Sequence, residues 1–320
     1  MVDSDQRPVP GGTAERPPEP VRRGPRSFGR GRRRNRYTLT PLLLISINLV
    51  LFATFFVWPA AIGLAYSFTS YTGVGPAPFV GLQNYQNLFH DPDFYAALVR
   101  TLIYTACVVP MIFVASLGVA YLLISQFAKG KTLARVIFFV PWLISPIIAG
   151  VIWRWIFGEN FGLVNFIISE FGGKAISWQS NANLSLVVVL IAATWGQTAF
   201  NMLIFTAALK NVPTAYYEAA ELDGANAWQK FRRITLPAIA PTSFIVILLS
   251  TLGSMKEYPL FKAINDGGPG NENNLIVQYI YNTGFRHAKI GYASAASFVL
   301  MLVLMLIAGV QLLVNRRRES

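Results

Sequence analysis

The chain reads as an all-α integral membrane protein with six transmembrane helices. Composition, six long apolar runs and the placement of the basic residues carry that reading. Hydrophobic residues make up 53% of the 320 residues and charged ones only 13%, about half the charged share of a soluble globular domain. Runs near 41–66, 97–124, 133–157, 184–209, 234–261 and 292–314 are each long enough to cross roughly 30 Å of hydrocarbon. The formal net charge of +12 is unevenly spread. Twenty of the 27 Lys and Arg residues lie in the tail to Arg36, at 129–135, at 210–233 and at 316–318. With six alternating spans, all four groups fall on one side. The positive-inside rule makes that side the cytoplasm, with both termini inside. The basic excess is therefore topological, not a nucleic-acid footprint.

Residues 1–36 carry ten Arg and six Pro with almost no large apolar side chains. They read as a disordered basic cytoplasmic tail that enforces orientation, with attraction to anionic membrane lipid as the alternative role. No signal-peptide h-region or cleavage site is legible there. The membrane domain is expected over 37–316. In the first outer loop, Asp91 and Pro92 form a helix cap followed by proline at the first helical position. Arg100 is then placed to snorkel at the outer interface. Pro141 and Pro146 imply kinks in the third run, and Trp153 and Trp155 suit the aromatic belt at its outer end.

Residues 213–237 form the extended charged segment in the middle of this apolar chain. Pro213 and Thr214 suit a helix start, and Gly224 suits the left-handed residue that closes one. Asn226 can cap a second helix ending before Pro237. A polar helical hairpin between the fourth and fifth spans is suited to docking a cytosolic partner.

Several chemistries are excluded. Cys107 is the single cysteine, so no intramolecular disulfide forms. His90 and His287 fall in outer loops, and no His, Cys and carboxylate cluster has metal-ligand spacing. Residues 128–132 imitate the end of a phosphate-binding loop, but Ser125 stands where its first glycine belongs and a membrane span precedes it. No nucleophile, base and orienting group lie together on one side of the membrane.

Ionisable groups at membrane depth are costly and mark function. Lys256 and Glu257 are adjacent on the fifth span, and Gln197 and Asn201 share a face of the fourth at i,i+4. Amides, hydroxyls, a carboxylate and aromatic faces suit a sugar. An inter-helix hydrogen bond or a Lys256–Glu257 pair is the alternative use of the same residues.

Glu218, Ala219, Ala220, then Asp223, Gly224, Ala225, then Phe231, Ile234, Leu236 and Pro237 together resemble the EAA signature of ABC importer permeases. The resemblance is to the carbohydrate (maltose-type) branch and extends over nearly the whole chain after Tyr37, including 79–85, 139–146, 152–157, 267–270 and 291–296. It implies a six-helix permease domain of the inner membrane whose 213–237 hairpin is a cytoplasmic coupling helix. Glu218, Ala219, Ala220, Asp223, Gly224, Ala225, Phe231 and Pro237 would carry the ATPase coupling. The implied partners are a homologous second permease, two ATPase subunits or a homodimer of one, and an extracytoplasmic solute-binding protein. ATP and magnesium would sit on the ATPase, leaving this chain without a cofactor of its own. By position, substrate contacts would fall on Gln197 and Phe200 of the fourth span and on Ser250, Gly253, Ser254 and Glu257 of the fifth. The maltose-type pattern has glycine at Gln197 and asparagine at Ser254 and Glu257, which points to a polar solute other than maltose. The implied function is ATP-driven import of a mono- or oligosaccharide by alternating access. A polyol, a glycerol phosphate ester or an ion-driven secondary transporter are the competing readings.

Overall fold

In a computed structural model, residues 39–124 and 130–319 are described. The tail 1–36 and the phosphate-loop mimic up to residue 129 lie outside them. The described residues are helical throughout, apart from connecting loops and an isolated bridge between Thr69 and Phe79.

Helix α1 (Leu39–Phe52) is apolar on all sides, as a lipid-facing or subunit-facing element must be. A π-helical turn (Ala53–Val57) follows it, then α2 (Trp58–Ser67) with Pro59 in its first turn. In the main body, α3 (Gln83–Phe89) leads into α4 (Pro92–Ile124). The α4 start is capped as expected: Asp91 Oδ1 accepts from the N–H of Asp93 at 2.9 Å and of Phe94 at 3.4 Å. Then come α5 (Lys131–Leu143), α6 (Pro146–Ile156), α7 (Leu163–Glu170) and α8 (Ala182–Lys210). The hairpin, α9 (Thr214–Leu222) and α10 (Ala227–Lys230), continues through a π-helical turn (Phe231–Thr235) into α11 (Leu236–Ala238). Helices α12 (Ala240–Ser254), α13 (Pro259–Ile264) and α14 (Ile276–Tyr281) precede a third π-helical turn (Asn282–Arg286) and α15 (Ile290–Glu319).

Leu43–Ser67, Pro92–Ile124, Ala182–Lys210 and Ile290–Arg317 are each long and apolar enough to cross a membrane. These match four of the six expected runs. The other two are bent. Thr132–Leu143 and Pro146–Ile156 meet at 102°, and Ala227–Ala238 and Ala240–Ser254 at 70°. Six spans result if each bent pair counts as one. The first break has a sequence cause, because Pro141 and Pro146 bracket it and the extended residues Ile144 and Ser145 join the two helices. It is a break where a kink was expected.

Packing centres on α4 lying along α8, with α12 against α4 and α13 against α6. Tyr104, Val108, Ile112, Val188, Ala192, Phe261 and Ile264 are buried together, and the Tyr104 and Phe261 rings meet edge to face at 4.9 Å. Lipid tails are as apolar as these side chains, so close contact holds the helices together instead of the escape of apolar surface from water. Gly150 shows how close: a Cβ there would stand 2.5 Å from that of Ala263. Thr105 and Ser254 add a hydrogen bond between α4 and α12 at 3.1 Å, worth about 0.6 kcal/mol in such a setting. Arg100 does not snorkel freely; its guanidinium donates to the Asn271 carbonyl at 2.9 Å.

Candidate functional site

Two features stand out, a polar hairpin at one end of α4 and a cavity between the broken helix and α8. The hairpin geometry follows from its capping residues. Gly224, at φ +74°, takes the left-handed conformation. Its N–H donates to the Glu221 carbonyl at 3.0 Å, and that of Ala225 donates to the Ala220 carbonyl at 2.8 Å. These paired bonds are a Schellman closure, which satisfies the last carbonyls of α9. Asn226 then caps α10 in a reciprocal box with Gln229, both bonds at 2.9 Å. One expectation is corrected: the second arm does not end before Pro237. It runs on to Ala238, because the π-helical turn 231–235 shifts the hydrogen-bonding pattern ahead of a residue that has no N–H to give.

The two arms are tied by the ion pair of Lys230 Nζ with Glu221 Oε1 at 2.7 Å, and by the Tyr217 hydroxyl on Thr235 Oγ1 at 2.9 Å. Lys230 therefore serves the hairpin itself. Phe231 is half-buried, stacks with Trp228 and meets Tyr121 of α4 edge to face. Glu218, Ala219, Asp223, Gly224 and Pro237 are exposed, while Ala220 and Ala225 are half-buried. Leu222 is 91% exposed and Trp228 64%, so the tip presents apolar surface beside its charges. No hydrogen bond or ion pair among the described residues engages the Glu218 side chain.

The cavity, about 250 Å³, opens where the helix breaks. Pro141, Trp142 and Pro146 line it from the break, Gly196 and Gln197 from α8, and Glu257 and Leu260 from the segment after α12. Phe200 joins at the edge, its ring stacked on Trp142 with centroids 4.8 Å apart. Of the expected solute contacts, the structure brings together Gln197, Glu257 and, through Trp142, Phe200. Asn201 and Ser254 are buried outside the lining. The Asn201 amide donates to the Gln197 carbonyl at 3.1 Å, and Ser254 holds Thr105. Ser250 and Gly253 also lie outside it. The expected Gln197 and Asn201 face is thus split, because the 3.6-residue turn carries Asn201 onto the packed side of α8. No Lys256–Glu257 pair forms among the described residues, and Lys256 is exposed. Sequence reasoning missed Trp142, whose role depends on how the break turns it towards α8.

A second, polar cavity of about 800 Å³ lies beyond the start of α4. There the Asp91 carboxylate accepts from the hydroxyls of Tyr279 at 2.5 Å and Tyr292 at 2.7 Å. Asp91 thereby pins the start of α4 to α14 and α15. Burial raises its carboxyl pKa, but those hydroxyls and the two capping N–H groups outweigh it and hold it below the ordinary value. Arg100, Arg286 and Lys289 line the same cavity. These residues are scattered in sequence, so only the fold assembles them.

Comparison with known proteins decides the family. The profile of the binding-protein-dependent transport system inner membrane component family matches residues 89–320. The chain belongs to that family. It is a permease subunit of an ABC importer, a multi-pass inner-membrane component and not an enzyme. The sn-glycerol-3-phosphate transport system permease of Salmonella choleraesuis (strain SC-B67) is 32% identical over 275 residues, covering 85% of this chain and 92% of the relative. The arabinooligosaccharide transport system permease of Bacillus subtilis (strain 168) is 33% identical over 274 residues, covering 85% and 87%. In fold, this permease is similar to a chain of a crystallised bacterial ABC transporter involved in alginate import. The TM-score is 0.77 at 24% identity, covering 87% of this chain and 95% of that one.

Proposed function

We propose that this permease imports a mono- or oligosaccharide by alternating access, with ATP energy entering through the 213–237 hairpin. The observation that carries the reading is the construction of that hairpin. Its tip is closed by a Schellman motif and a capping box, its arms are joined by an ion pair, and Phe231 is seated on α4. A rigid element that exposes Glu218 and Leu222 can pass a push into the helix bundle instead of absorbing it. The partner chemistry that fits is a cleft on each of two ATPase subunits, which hold the ATP and magnesium. A homologous permease would complete the membrane pair. The hairpin side would be cytoplasmic, with both termini there, and the 800 Å³ polar cavity would face an extracytoplasmic solute-binding protein. The membrane domain would occupy 37–316, with 1–36 as its cytoplasmic tail.

For the solute, Gln197 and Glu257 beside the Trp142 and Phe200 rings supply hydrogen-bonding groups and a flat apolar face, which together suit a sugar ring. Import of a glycerol phosphate ester is the second reading, favoured by the Salmonella relative. The coupling role is tested by a single cysteine at position 218 in a Cys107→Ala background. Bifunctional thiol reagents should cross-link it to the ATPase subunit, with a yield that changes between nucleotide-free and ATP-bound complex. Cross-linking to the solute-binding protein instead would place the hairpin on the wrong side.

A further inference from the structure

We infer that the membrane cavity selects uncharged polyhydroxylated solutes and rejects anions, with Glu257 as the residue that sets this selectivity. The inference rests on the importer reading and narrows its substrate class. Among the described residues, the cavity lining contains one acidic side chain, Glu257, and no basic one. The Glu257 carboxylate is fixed in place: Oε1 accepts from the N–H of Tyr258 at 3.1 Å and of Leu260 at 3.2 Å. Oε2 receives no hydrogen bond from the described residues. The ion pairs among those residues join Lys230 to Glu221 and both Lys262 and Arg286 to Asp266, so none neutralises Glu257. Lys256, its neighbour in sequence, is exposed and absent from the lining.

The chemistry of such a site is asymmetric. A carboxylate offers acceptors only, so it bonds the hydroxyl donors that every sugar ring carries. The Gln197 amide adds one acceptor and two donors, and the Trp142 indole gives an apolar face for ring C–H groups. A phosphate or uronate group would meet a like charge at short range, with no Arg or Lys among the described lining residues of this chain to offset it. Away from water, that repulsion is poorly screened. The arabinooligosaccharide system is named for an uncharged solute, and the glycerol-phosphate and alginate systems for anionic ones. This cavity fits the first chemistry.

The test is saturation-transfer NMR on the purified full complex without its binding protein. The probe is a mixture of arabinotriose, maltotriose, glycerol 3-phosphate and trigalacturonate. In wild type the neutral saccharides should give signals at least tenfold above those of the two anions. In Glu257→Gln the neutral signals should weaken severalfold and the anion signals should rise, with assembly unchanged by size-exclusion chromatography. Anion signals equal to the neutral ones in wild type, or a ratio unaltered by Glu257→Gln in assembled complex, would overturn the assignment. The same complex in proteoliposomes, now supplied with its solute-binding protein, reports separately on the importer reading. If wild type accumulates glycerol 3-phosphate with ATP, that reading stands and the charge selectivity falls. If uptake of none of the four solutes depends on ATP, both fall.

Discussion

The ring of Phe231 meets that of Tyr121 edge to face, with centroids 5.4 Å and planes 77° apart. This contact joins the hairpin to α4, the helix that packs along α8 beside the cavity. Motion imposed on the hairpin therefore has a route to the bundle through packed side chains. An aromatic pair contributes about 0.5–1.5 kcal/mol beyond its buried area, enough to matter for transmission without deciding whether the domain folds. We predict that Phe231→Ala leaves assembly and ATP hydrolysis near wild type while solute imported per ATP falls severalfold. Simultaneous measurement of uptake and phosphate release checks this. An unchanged ratio would remove Phe231 from the coupling route.

Two carboxylates one turn apart on α9 should behave differently. Glu221 is paired with Lys230 inside the hairpin, whereas Glu218 is exposed and its carboxylate makes no ion pair among the described residues. Surface ion pairs are worth about 0–1 kcal/mol, so Glu221→Ala should lower Tm slightly and largely preserve uptake. Glu218→Ala should leave Tm unchanged and reduce uptake at least tenfold. Similar uptake from the two variants would contradict the division of roles.

Much of this was legible in the sequence, and the reasons differ between elements. Gly224, Asn226 and Asp91 act through local backbone chemistry, so spacing alone placed the turn and both caps. The apolar runs located four of the spans because membrane length and hydropathy are one-dimensional signals. The right angle at Ile144 and Ser145 was not legible. Two prolines show that the helix is interrupted, but the bend angle depends on what α6 packs against. Asn201 misled for a related reason: i,i+4 spacing gives a shared face only approximately, and packing against neighbouring helices decides which side of α8 is wet. The Asp91, Tyr279 and Tyr292 cluster joins residues nearly 200 positions apart, beyond the reach of any local pattern.

That cluster predicts a pH dependence. The folded Asp91 carboxyl titrates below its unfolded value of about 4. Its contribution is therefore complete above that value and is lost as pH falls through the lower folded one. Asp91→Asn should lower Tm at neutral pH. Its Tm should also fall less steeply than that of wild type as pH drops below about 4. Parallel curves would mean that the tyrosine hydroxyls hold Asp91 without favouring its charge.

Orientation is tested by labelling intact cells. In a Cys107→Ala background, a cysteine at Gly75 should react with an impermeant maleimide, and one at Glu319 should react only after permeabilisation. The reverse pattern would put the hairpin outside the cell.

The most direct test of the account is Gly224→Val, measured as ATP-driven uptake in proteoliposomes holding the full complex. A Cβ at Gly224 would meet no atom of the described residues within 4 Å, so bulk is not the obstacle. The φ of +74° is, because a β-branched residue resists it while asparagine tolerates it. The account predicts that Gly224→Val assembles but loses nearly all binding-protein-stimulated ATP hydrolysis and uptake, and that Gly224→Asn retains most of both. Full uptake by assembled Gly224→Val complex would contradict the claim that this hairpin carries the energy of ATP into the membrane.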